Sequence, residues 1–275
     1  METEITSTRN PHIVAARKLG ERKHREQQGR FLVEGLQLLH LALDAGARPV
    51  EVFYCERLFA GRQAAALLER FRQTEADLLP VSERVMAALS QRDTPQGIVA
   101  TFALFETPLA ALRLSGRELV VVLDRLQDPG NLGTLIRTAD AVGAAAVVLI
   151  EPCVDPFDPK TVRGSMGSLF NVPLARTGDV PALFAWLRRH GLRVVGADAH
   201  LGEPWGYGLW DGGVALVLGN EARGLSEDVR AHVQAWARLP IVGKAESLNV
   251  AVAGGVLMYT WLQENWERRC QSPTN

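Results

Sequence analysis

The stretch that decides the fold is residues 239–256, LPIVGKAESLNVAVAGGV. It predicts the end of a buried strand, a turn through Pro240 and Gly243, a polar cluster, and an apolar helix with small residues. Ser247 is suited to be a helix N-cap, because its hydroxyl can accept hydrogen bonds from amides of the first turn. Asn249 falls inside the predicted first turn, where a buried amide without partners costs about 1–3 kcal/mol. We therefore expect this turn to be a functional site.

The composition is that of an ordinary globular protein. The 275 residues suit one large domain or two of usual size, and 47% of them are hydrophobic, which is enough for a substantial core. The formal net charge is −1, so any surface that binds nucleic acid must be local rather than a property of the whole chain.

The cysteines and the lengths of the apolar runs indicate where in the cell the protein is found. Cys55, Cys153 and Cys270 are scattered without the spacing of a metal site, which predicts free thiols, a reducing compartment and no bound metal. The polar N-terminal residues predict no secretory signal. The longest apolar runs, such as residues 141–150, are shorter than the ~20 residues that span a bilayer. We expect a cytoplasmic protein without a membrane segment.

A predicted helix near the N-terminus carries an excess of positive charge. Asn10 and Pro11 predict its start, and Gly29 predicts its end after about Gln28. Only two acidic residues accompany its seven basic residues, which are Arg9, Arg17, Lys18, Arg22, Lys23, Arg25 and Arg30. Such a face is either simply solvated or a contact for a polyanion, and the charge pattern alone leaves both interpretations open.

Strands alternate with helices along the chain, which predicts an α/β protein. The first run of alternation predicts a smaller domain over residues 1–106, followed by a linker over residues 107–117. From residue 118 the pattern restarts with continuous apolar strands, such as residues 120–123, of the kind buried on both faces of a parallel sheet. Residues 118–275 are therefore expected to form a second α/β domain with a mainly parallel sheet.

Three predicted strands of the second domain end in turns that are richer in glycine, asparagine and charge than packing requires. These turns are residues 123–133 (LDRLQDPGNLG), residues 218–225 (LGNEARGL) and the stretch at 239–256. Ligands of open parallel sheets bind outside the carboxyl ends of the strands, where glycines let the backbone approach them closely. We expect the three turns to converge on one crevice.

Several common chemistries lack their sequence motifs. No GxGxxG follows a predicted strand, and neither a Walker A lysine loop nor a GxSxG elbow is present. Cys and His do not occur at zinc spacing. Hydride transfer, nucleotide hydrolysis, serine hydrolysis and zinc chemistry are therefore not expected.

Four motifs in the second domain are DPGNLGTLIRTADAVGA (128–144), VRGSMGSLF (162–170), VLGNEARGLSE (217–227) and LPIVGKAESLNVAVAGGVLMY (239–259). In order and spacing they resemble the motifs of the SpoU (TrmH) family, RNA ribose 2′-O-methyltransferases of the SPOUT superfamily. The resemblance covers residues 118–261 and implies a C-terminal trefoil knot near residues 214–250. RFLVEG (30–35) and TPQGIVA (94–100) resemble parts of the ribosomal-protein-like RNA-binding domain of the rRNA-modifying members.

The resemblance assigns roles residue by residue. It implies that S-adenosylmethionine, the methyl donor, is held by backbone groups and apolar side chains at Leu218, Gly219, Leu239, Ile241 and Leu248. It implies a catalytic set of Arg137, Asn131, Glu221, Ser247 and Asn249. Arg137 would act near the ribose hydroxyl and its phosphate. A guanidinium is essentially always protonated, so an electrostatic clamp is favoured over a base.

The resemblance also favours an RNA contact for the basic N-terminal helix. The residues expected to contact RNA are Arg17, Lys18, Arg22, Lys23, Arg25 and Arg163. The expected RNA is 23S-type rRNA rather than tRNA, because the N-terminal domain is larger than the minimal tRNA enzymes need. Members of the family are dimers, so a homodimer is expected, with the small-residue helix at 251–261 as a candidate interface.

Three other functions remain open at this point. The chain could be a tRNA 2′-O-methyltransferase, or a non-catalytic RNA-binding protein that keeps the same fold for ribosome assembly. A small-molecule α/β enzyme is a third alternative, but it leaves the basic N-terminal helix unexplained.

Overall fold

The structure, a computed structural model, describes residues 3–271, with side chains described as far as Glu267. The terminal residues 1–2 and 272–275 of the predicted domains, and the side chain of Cys270, lie outside the described part. The chain divides into two compact units. Unit 1 contains the chain up to Phe105 together with Asp155–Phe170, and unit 2 contains Glu106–Val154 and the chain from Asn171 onward.

Each unit has its own sheet. In the described residues the strands are β1 (Arg30–Glu34), β2 (Pro49–Tyr54), β3 (Asp77–Pro80), β4 (Ile98–Ala103), β5 (Leu119–Asp124), β6 (Ala146–Ile150), β7 (Leu174–Thr177), β8 (Arg193–Ala197), β9 (Glu203–Pro204), β10 (Val214–Leu218) and β11 (Ala235–Arg238). The sheet of unit 1 is mixed, with strand order β1-β4-β2-β3. The sheet of unit 2 has the order β7-β6-β5-β10-β8-β11-β9.

Helices connect the strands, as the alternating pattern predicts. In the same part of the chain they are α1 (Pro11–Lys18), α2 (Arg22–Gln28), α3 (Leu36–Asp44), α4 (Gln63–Arg72), α5 (Glu83–Leu89), α6 (Pro129–Ala141), α7 (Pro159–Gly164), α8 (Val180–Arg189), α9 (Glu227–Arg230) and α10 (Val250–Gln271). Among residues 3–271, no helix combines the length and the apolar character that a membrane crossing requires.

Every strand pair in the sheet of unit 2 is parallel. Strands β5, β6 and β10 are buried at all of their positions, as expected for apolar strands covered on both faces. Helix α8 packs its apolar face, including Leu183 and Phe184, into the core formed with Val120, Val148 and Val217. The predicted parallel α/β fold is confirmed, and the trefoil knot around residues 214–250 stays a prediction.

Four neighbouring strands of this sheet, β5, β10, β8 and β11, end at the same edge. Leu218 at the end of β10 is in register with Leu123 of β5, while Gly196 of β8 is in register with both Val217 and Trp236. The carboxyl edge therefore collects the three turns predicted to converge, together with the turn that follows β8.

Unit 1 includes the segment Asp155–Phe170, although chain order predicts that segment within the second domain. Its aromatic side chains explain the placement. The rings of Phe157 and Phe170 lie 4.8 Å and 6.1 Å from the fully buried ring of Phe31 on β1, measured between centroids. Phe170 also lies 5.8 Å from Phe102 on β4. The segment thus completes the aromatic core of unit 1.

The single N-terminal helix predicted from the sequence is two helices in the structure. Its start is as predicted, because the Asn10 side chain accepts a hydrogen bond from the backbone N–H of His12, and Gly29 ends α2 with a φ of 64°. Between α1 and α2, the N–H groups of residues 19–21 bond to carbonyls three residues back, which tightens the chain into a turn. Gly20 lies in this turn, where its low helix propensity favours the break.

The RNA contact predicted for Arg25 is wrong, because its side chain is buried and only 2% exposed. Its Nε and Nη2 atoms lie 2.8 Å and 2.7 Å from Oδ2 of Asp155, which is itself buried, and Nη1 donates to the carbonyl of Leu19. A polyanion at the surface cannot reach these donors. Arg25 is an internal ion-pair residue that fastens α2 to the segment leading into α7.

We predict that Arg25→Ala destabilises the protein by about 3–5 kcal/mol, because it leaves the Asp155 carboxylate buried without its partner. Urea unfolding would measure the loss. The matched control is Arg22→Ala on the same helix, whose surface ion pair with Glu26 contributes at most about 1 kcal/mol. Equal losses for the two variants would contradict the structural role of Arg25.

Candidate active site

A cavity of about 370 Å³ lies at the carboxyl edge of the unit 2 sheet. Its volume lies in the range of small-molecule sites, about 300–1,000 Å³. The five residues predicted to hold the methyl donor all line it, namely Leu218, Gly219, Leu239, Ile241 and Leu248. Of these, Leu218 and Leu239 are buried, whereas Leu248 is 43% exposed. The structure therefore brings the predicted cofactor residues together around one cavity.

The turn after β10 has a shape that only glycine permits. A Cβ atom at Gly219 would lie 2.3 Å from the backbone carbon of Gly224, so a larger residue could not let the turn fold back. Asn220 and Gly224 exchange both backbone hydrogen bonds, at 3.0 Å and 2.9 Å, which close the turn. The cavity wall thus combines apolar side chains with tightly folded backbone, and this set fits the adenine ring and the methionine chain of the predicted methyl donor.

A chain of side-chain hydrogen bonds joins the three predicted turns at this edge. The Nδ2 atom of Asn249 donates to Oδ1 of Asn131 at 3.0 Å, and Nδ2 of Asn131 donates to Oε1 of Glu221 at 3.1 Å. Glu221 also accepts from the backbone N–H groups of Gln127 and Asp128 at 3.2 Å and 3.1 Å. We call Asn249, Asn131 and Glu221 the amide network. Three of the five predicted catalytic residues are therefore in direct contact.

The charge of Glu221 is fixed by its hydrogen bonds. Partial burial alone would raise the pKa of this carboxyl group, but the bonds from the Asn131 side chain and from the backbone at Gln127, Asp128 and Glu221 outweigh it. They hold the pKa below its ordinary value of 4.5. The carboxylate is therefore anionic at neutral pH, and its contribution to stability is lost only as the pH falls through the lowered pKa.

The N-cap of α10 is Asn249 rather than Ser247. Its Oδ1 accepts from the backbone N–H groups of Ala251 at 2.9 Å and Val252 at 3.3 Å. The sequence pattern places Asn249 inside the first turn, but the helix begins one residue later, at Val250. The exposed Ser247 is left to line the cavity. Its hydroxyl is thus available to a ligand, as a role beside the target nucleotide requires.

Arg137 does not line the cavity, although it lies on α6 with Asn131. The neighbouring side chains of Leu135 and Ile136 are buried, whereas Arg137 is exposed. Within the described part of the chain, its guanidinium forms no hydrogen bond or ion pair with another residue. All of its N–H donors remain open to an anionic ligand, which is consistent with the predicted phosphate contact.

Two cavity residues, Asp198 and His200, were not predicted. The Oδ1 atom of Asp198 accepts from the N–H groups of His200 and Leu201 at 2.9 Å and 3.0 Å. Burial would raise the pKa of Asp198, but these bonds and the nearby Arg230 hold it below the ordinary value. The residues Asp198, Ala199 and His200 directly follow apolar strand β8, as the other three turns follow their strands, and that signal could have revealed this part of the site.

The remaining predicted RNA contacts lie on unit 1. Arg17, Lys18, Lys23 and Arg163 are exposed, and Arg22 is partly exposed in its ion pair with Glu26. Their side chains can therefore be reached by a polyanion.

Metal or thiolate chemistry finds no support in the described residues. Within residues 3–267, no cluster of His, Cys, Asp and Glu side chains could hold a metal ion. Cys55 and Cys153 are buried, and burial raises the pKa of Cys153 to about 12. The Cys153 thiol is thus protonated and a poor nucleophile at neutral pH.

Comparison with known proteins agrees with this geometry. A model of the SpoU rRNA Methylase family matches residues 118–259, and a model of the MRM3-like substrate binding domain matches residues 10–100. A crystal structure of an AdoMet-bound rRNA methyltransferase from Sinorhizobium meliloti superposes with a TM-score of 0.86. That chain is 34% identical in sequence, and the match covers 98% of this chain and 99% of that one.

Two named relatives match over most of their length. A 23S rRNA (guanosine(2553)-2′-O)-methyltransferase from Bacillus subtilis is 33% identical over 256 residues, which cover 93% of this chain and 98% of that protein. A 23S rRNA (uridine(2479)-2′-O)-methyltransferase from Streptomyces viridochromogenes is 31% identical, covering 88% and 85%.

Fold, cavity and comparisons together define an S-adenosylmethionine-dependent RNA methyltransferase. More narrowly, the chain belongs to the SpoU rRNA methylase family, as its sequence motifs predict.

We predict that two substitutions of Asn249 separate its two roles. Asn249→Ala removes both the helix cap and the bond to Asn131, and should destabilise the protein by about 1 kcal/mol. Asn249→Asp keeps a capping oxygen but replaces the N–H donor that faces Asn131. It should therefore recover most of the stability and little of the methyl-transfer rate. Urea unfolding and turnover measure the two effects, and full recovery of turnover in Asn249→Asp would show that the link to Asn131 is dispensable.

Proposed function

We propose that this protein transfers a methyl group from S-adenosylmethionine to a ribose 2′-hydroxyl of 23S-type rRNA. The observation that carries the proposal is the cavity lined by all five predicted cofactor residues, with Ser247 in its lining and the amide network joining the turns at the same edge. A methyl donor bound in this cavity would lie beside the entrance for the nucleotide. The hydrogen bonds of the amide network already fix the geometry of that entrance.

The residues have separate tasks in this reaction. When bound, S-adenosylmethionine would supply an electrophilic methyl group that the ribose 2′-oxygen can attack directly, with S-adenosylhomocysteine as the leaving group. The cavity wall and the amide network hold donor and nucleotide in line, and such alignment can lower the barrier by about 7–11 kcal/mol. Arg137 binds the neighbouring phosphate and stabilises the negative charge that develops on the 2′-oxygen as its proton passes to solvent water. Asp198, an anion in the lining of the cavity, would accept a hydrogen bond from bound S-adenosylmethionine.

The choice of rRNA over tRNA is supported by unit 1. Residues 10–100 match a substrate-binding domain model, and the two 23S rRNA enzymes align with this chain through both units. The exposed cations Arg17, Lys18 and Lys23 give unit 1 donors for RNA phosphates. We place the reaction in the cytoplasm, where ribosomal RNA is modified in bacteria, and cell fractionation would test that location.

Labelled methyl transfer tests the function directly. The purified protein, given labelled S-adenosylmethionine, should methylate 23S rRNA transcribed in vitro, and mapping of the product should find one 2′-O-methylated ribose. Label in bulk tRNA alone would favour a tRNA enzyme. No label in any cellular RNA would favour a non-catalytic role in ribosome assembly.

We predict that Arg137→Ala lowers turnover by about 10²–10³-fold, because a preorganised charge at the developing alkoxide is lost. Calorimetry should find unchanged binding of S-adenosylmethionine, since Arg137 is not among the residues that line the cavity. The control is Arg163→Ala, which should affect RNA affinity more than the rate at saturating RNA. Near-normal turnover of Arg137→Ala would remove this residue from the site.

We also propose that the enzyme is a homodimer. Helix α10 exposes a run of large apolar side chains on unit 2, and Trp205 contributes to the same shallow groove. The groove includes Tyr259 at 52% exposure and Trp266 at 57%. A second copy of the chain would remove this apolar surface from water.

Trp266→Glu tests the homodimer. It should convert a dimer to a monomer at micromolar concentration, because a charge would be buried in the apolar contact. Sedimentation equilibrium measures the change, with Gln73→Glu, at an exposed position of unit 1 outside the groove, as the control for added charge. A wild-type protein that is already monomeric would rule out the homodimer.

A further inference from the structure

Three sequence motifs that the catalytic site leaves unexplained meet in unit 1. RFLVEG comprises β1 and Gly35, TPQGIVA leads into β4, and VRGSMGSLF covers the end of α7 and the turn after it. The carboxylate of Glu34 joins the first motif to the loop before the second. It is buried, with 7% exposure, and accepts hydrogen bonds from the Ser90 hydroxyl and from the N–H of Gln91 at 2.8 Å. The loop at residues 90–92 is therefore held by a fixed internal anion.

The loop at residues 90–92 also packs closely against the start of α3. Gly35 has a φ of 112°, and a Cβ atom there would lie 3.2 Å from Nη2 of Arg92. Oε1 of Gln96 accepts from the N–H of Leu36 at 3.2 Å, which ties the other end of the loop to the helix. Glycine at position 35 thus lets the guanidinium of the exposed Arg92 lie directly over the backbone.

A second exposed guanidinium is tied to this loop. Nη1 of Arg163, on α7, donates to Oε1 of Gln91. Gln91 is neutral, so the charge of Arg163 is not cancelled by its partner. Throughout residues 3–267, neither Arg92 nor Arg163 forms an ion pair with a carboxylate. Two cations are thus positioned by neutral and backbone contacts, with most of their N–H donors left open.

The turn after α7 is also held in a special conformation. Met166 has a φ of 50°, which is uncommon for a residue with a side chain, and that side chain is 42% exposed. Gly167 follows with a φ of 98°, and a Cβ atom there would lie 2.4 Å from the Cδ1 atom of Leu41. Backbone in sparsely populated regions persists where the surroundings determine it, and such positions cluster at binding sites.

We propose that Arg92 and Arg163 form a phosphate clamp for the RNA substrate, positioned by Glu34, Gln91 and Gly35. The inference rests on the proposed function, since it takes RNA as the ligand. Guanidinium groups bind phosphate oxygens in a bidentate manner, and two of them on one loop and one helix suit successive phosphates of a nucleic acid. Met166, whose backbone N–H bonds to the carbonyl of Arg163, is exposed and offers an apolar surface for an unstacked base.

The ion pair of the buried Arg25 also helps to position the helix that carries one arginine of the clamp. Helices α2 and α7 both pack against β1, and the ion pair of Arg25 with Asp155 ties α2 to the segment that leads into α7. The helix that carries Lys23 and the helix that carries Arg163 are therefore braced on the same strand.

The test is the salt dependence of binding to 23S rRNA transcribed in vitro, measured by filter retention with the full-length protein. In the double variant Arg92→Gln/Arg163→Gln, the slope of log affinity against log salt should fall by about 1.4–1.8, since each phosphate contact contributes about 0.7–0.9. The matched control is Arg48→Gln/Arg62→Gln, which removes the same charge from exposed arginines elsewhere in unit 1. Its slope should not change.

A single substitution tests the geometry rather than the charge count. Gln91→Glu places a carboxylate on the partner of Arg163 and should weaken RNA binding by pairing that guanidinium. The control, Gln73→Glu at an exposed position of unit 1, adds the same charge without this contact and should bind normally. Equal salt slopes for the clamp variant and its control, or no RNA binding by the unchanged protein, would overturn the proposal.

The outcomes separate the clamp from the proposed reaction. If the unchanged protein binds RNA with the expected slope but transfers no methyl group, the methyltransferase proposal fails and the clamp stands. If it transfers the methyl group and the clamp variants bind RNA normally, the clamp fails and the reaction stands. Calorimetry with S-adenosylmethionine should give unchanged affinity in every variant, which verifies that unit 2 is folded.

Discussion

The parallel pairing of β5, β10, β8 and β11 is the constraint on which the site depends. Parallel neighbours in register end at the same edge, so the turns that follow four separate strands must share one place. Complete burial of β10 holds this arrangement, because its apolar side chains pack into the core on both faces of the sheet. The cavity is therefore a consequence of strand order rather than of any single turn.

Polar contacts then bring the turns to a single geometry. Each bond of the amide network contributes only about 0.5–1.5 kcal/mol, but the bonds share partners, and Asn249 both caps α10 and contacts Asn131. A displaced turn would break several of these bonds at once. The same principle operates in unit 1, where the buried Glu34 carboxylate fixes a loop that carries an exposed arginine. In both units, hydrogen-bonded polar side chains fix the positions of residues that are exposed to a ligand.

Burial decides what a basic residue can do. Counting charges along the N-terminal helix treats Arg25 like Arg17 and Lys23, since all three fall in one basic run. The structure distinguishes the three residues. Asp155, far along the chain, forms an ion pair with Arg25 inside unit 1, whereas Arg17 and Lys23 are exposed. The helix break at Gly20 was likewise hidden from a pattern that assumes uniform periodicity. Chain order also failed to predict that residues 155–170 belong to unit 1. Their placement depends on Phe157 and Phe170, which pack in the aromatic core of that unit.

By itself the sequence determined the parallel α/β fold, most strand positions, the family and five of the residues that line the cavity. These follow from hydrophobic periodicity and from motifs whose residues are neighbours along the chain. Only the tertiary structure decided that Asn249 rather than Ser247 caps α10, that Asp198 and His200 join the cavity, and that Arg25 is internal. Each of these depends on contacts or helix boundaries that become definite only once distant segments have packed against each other.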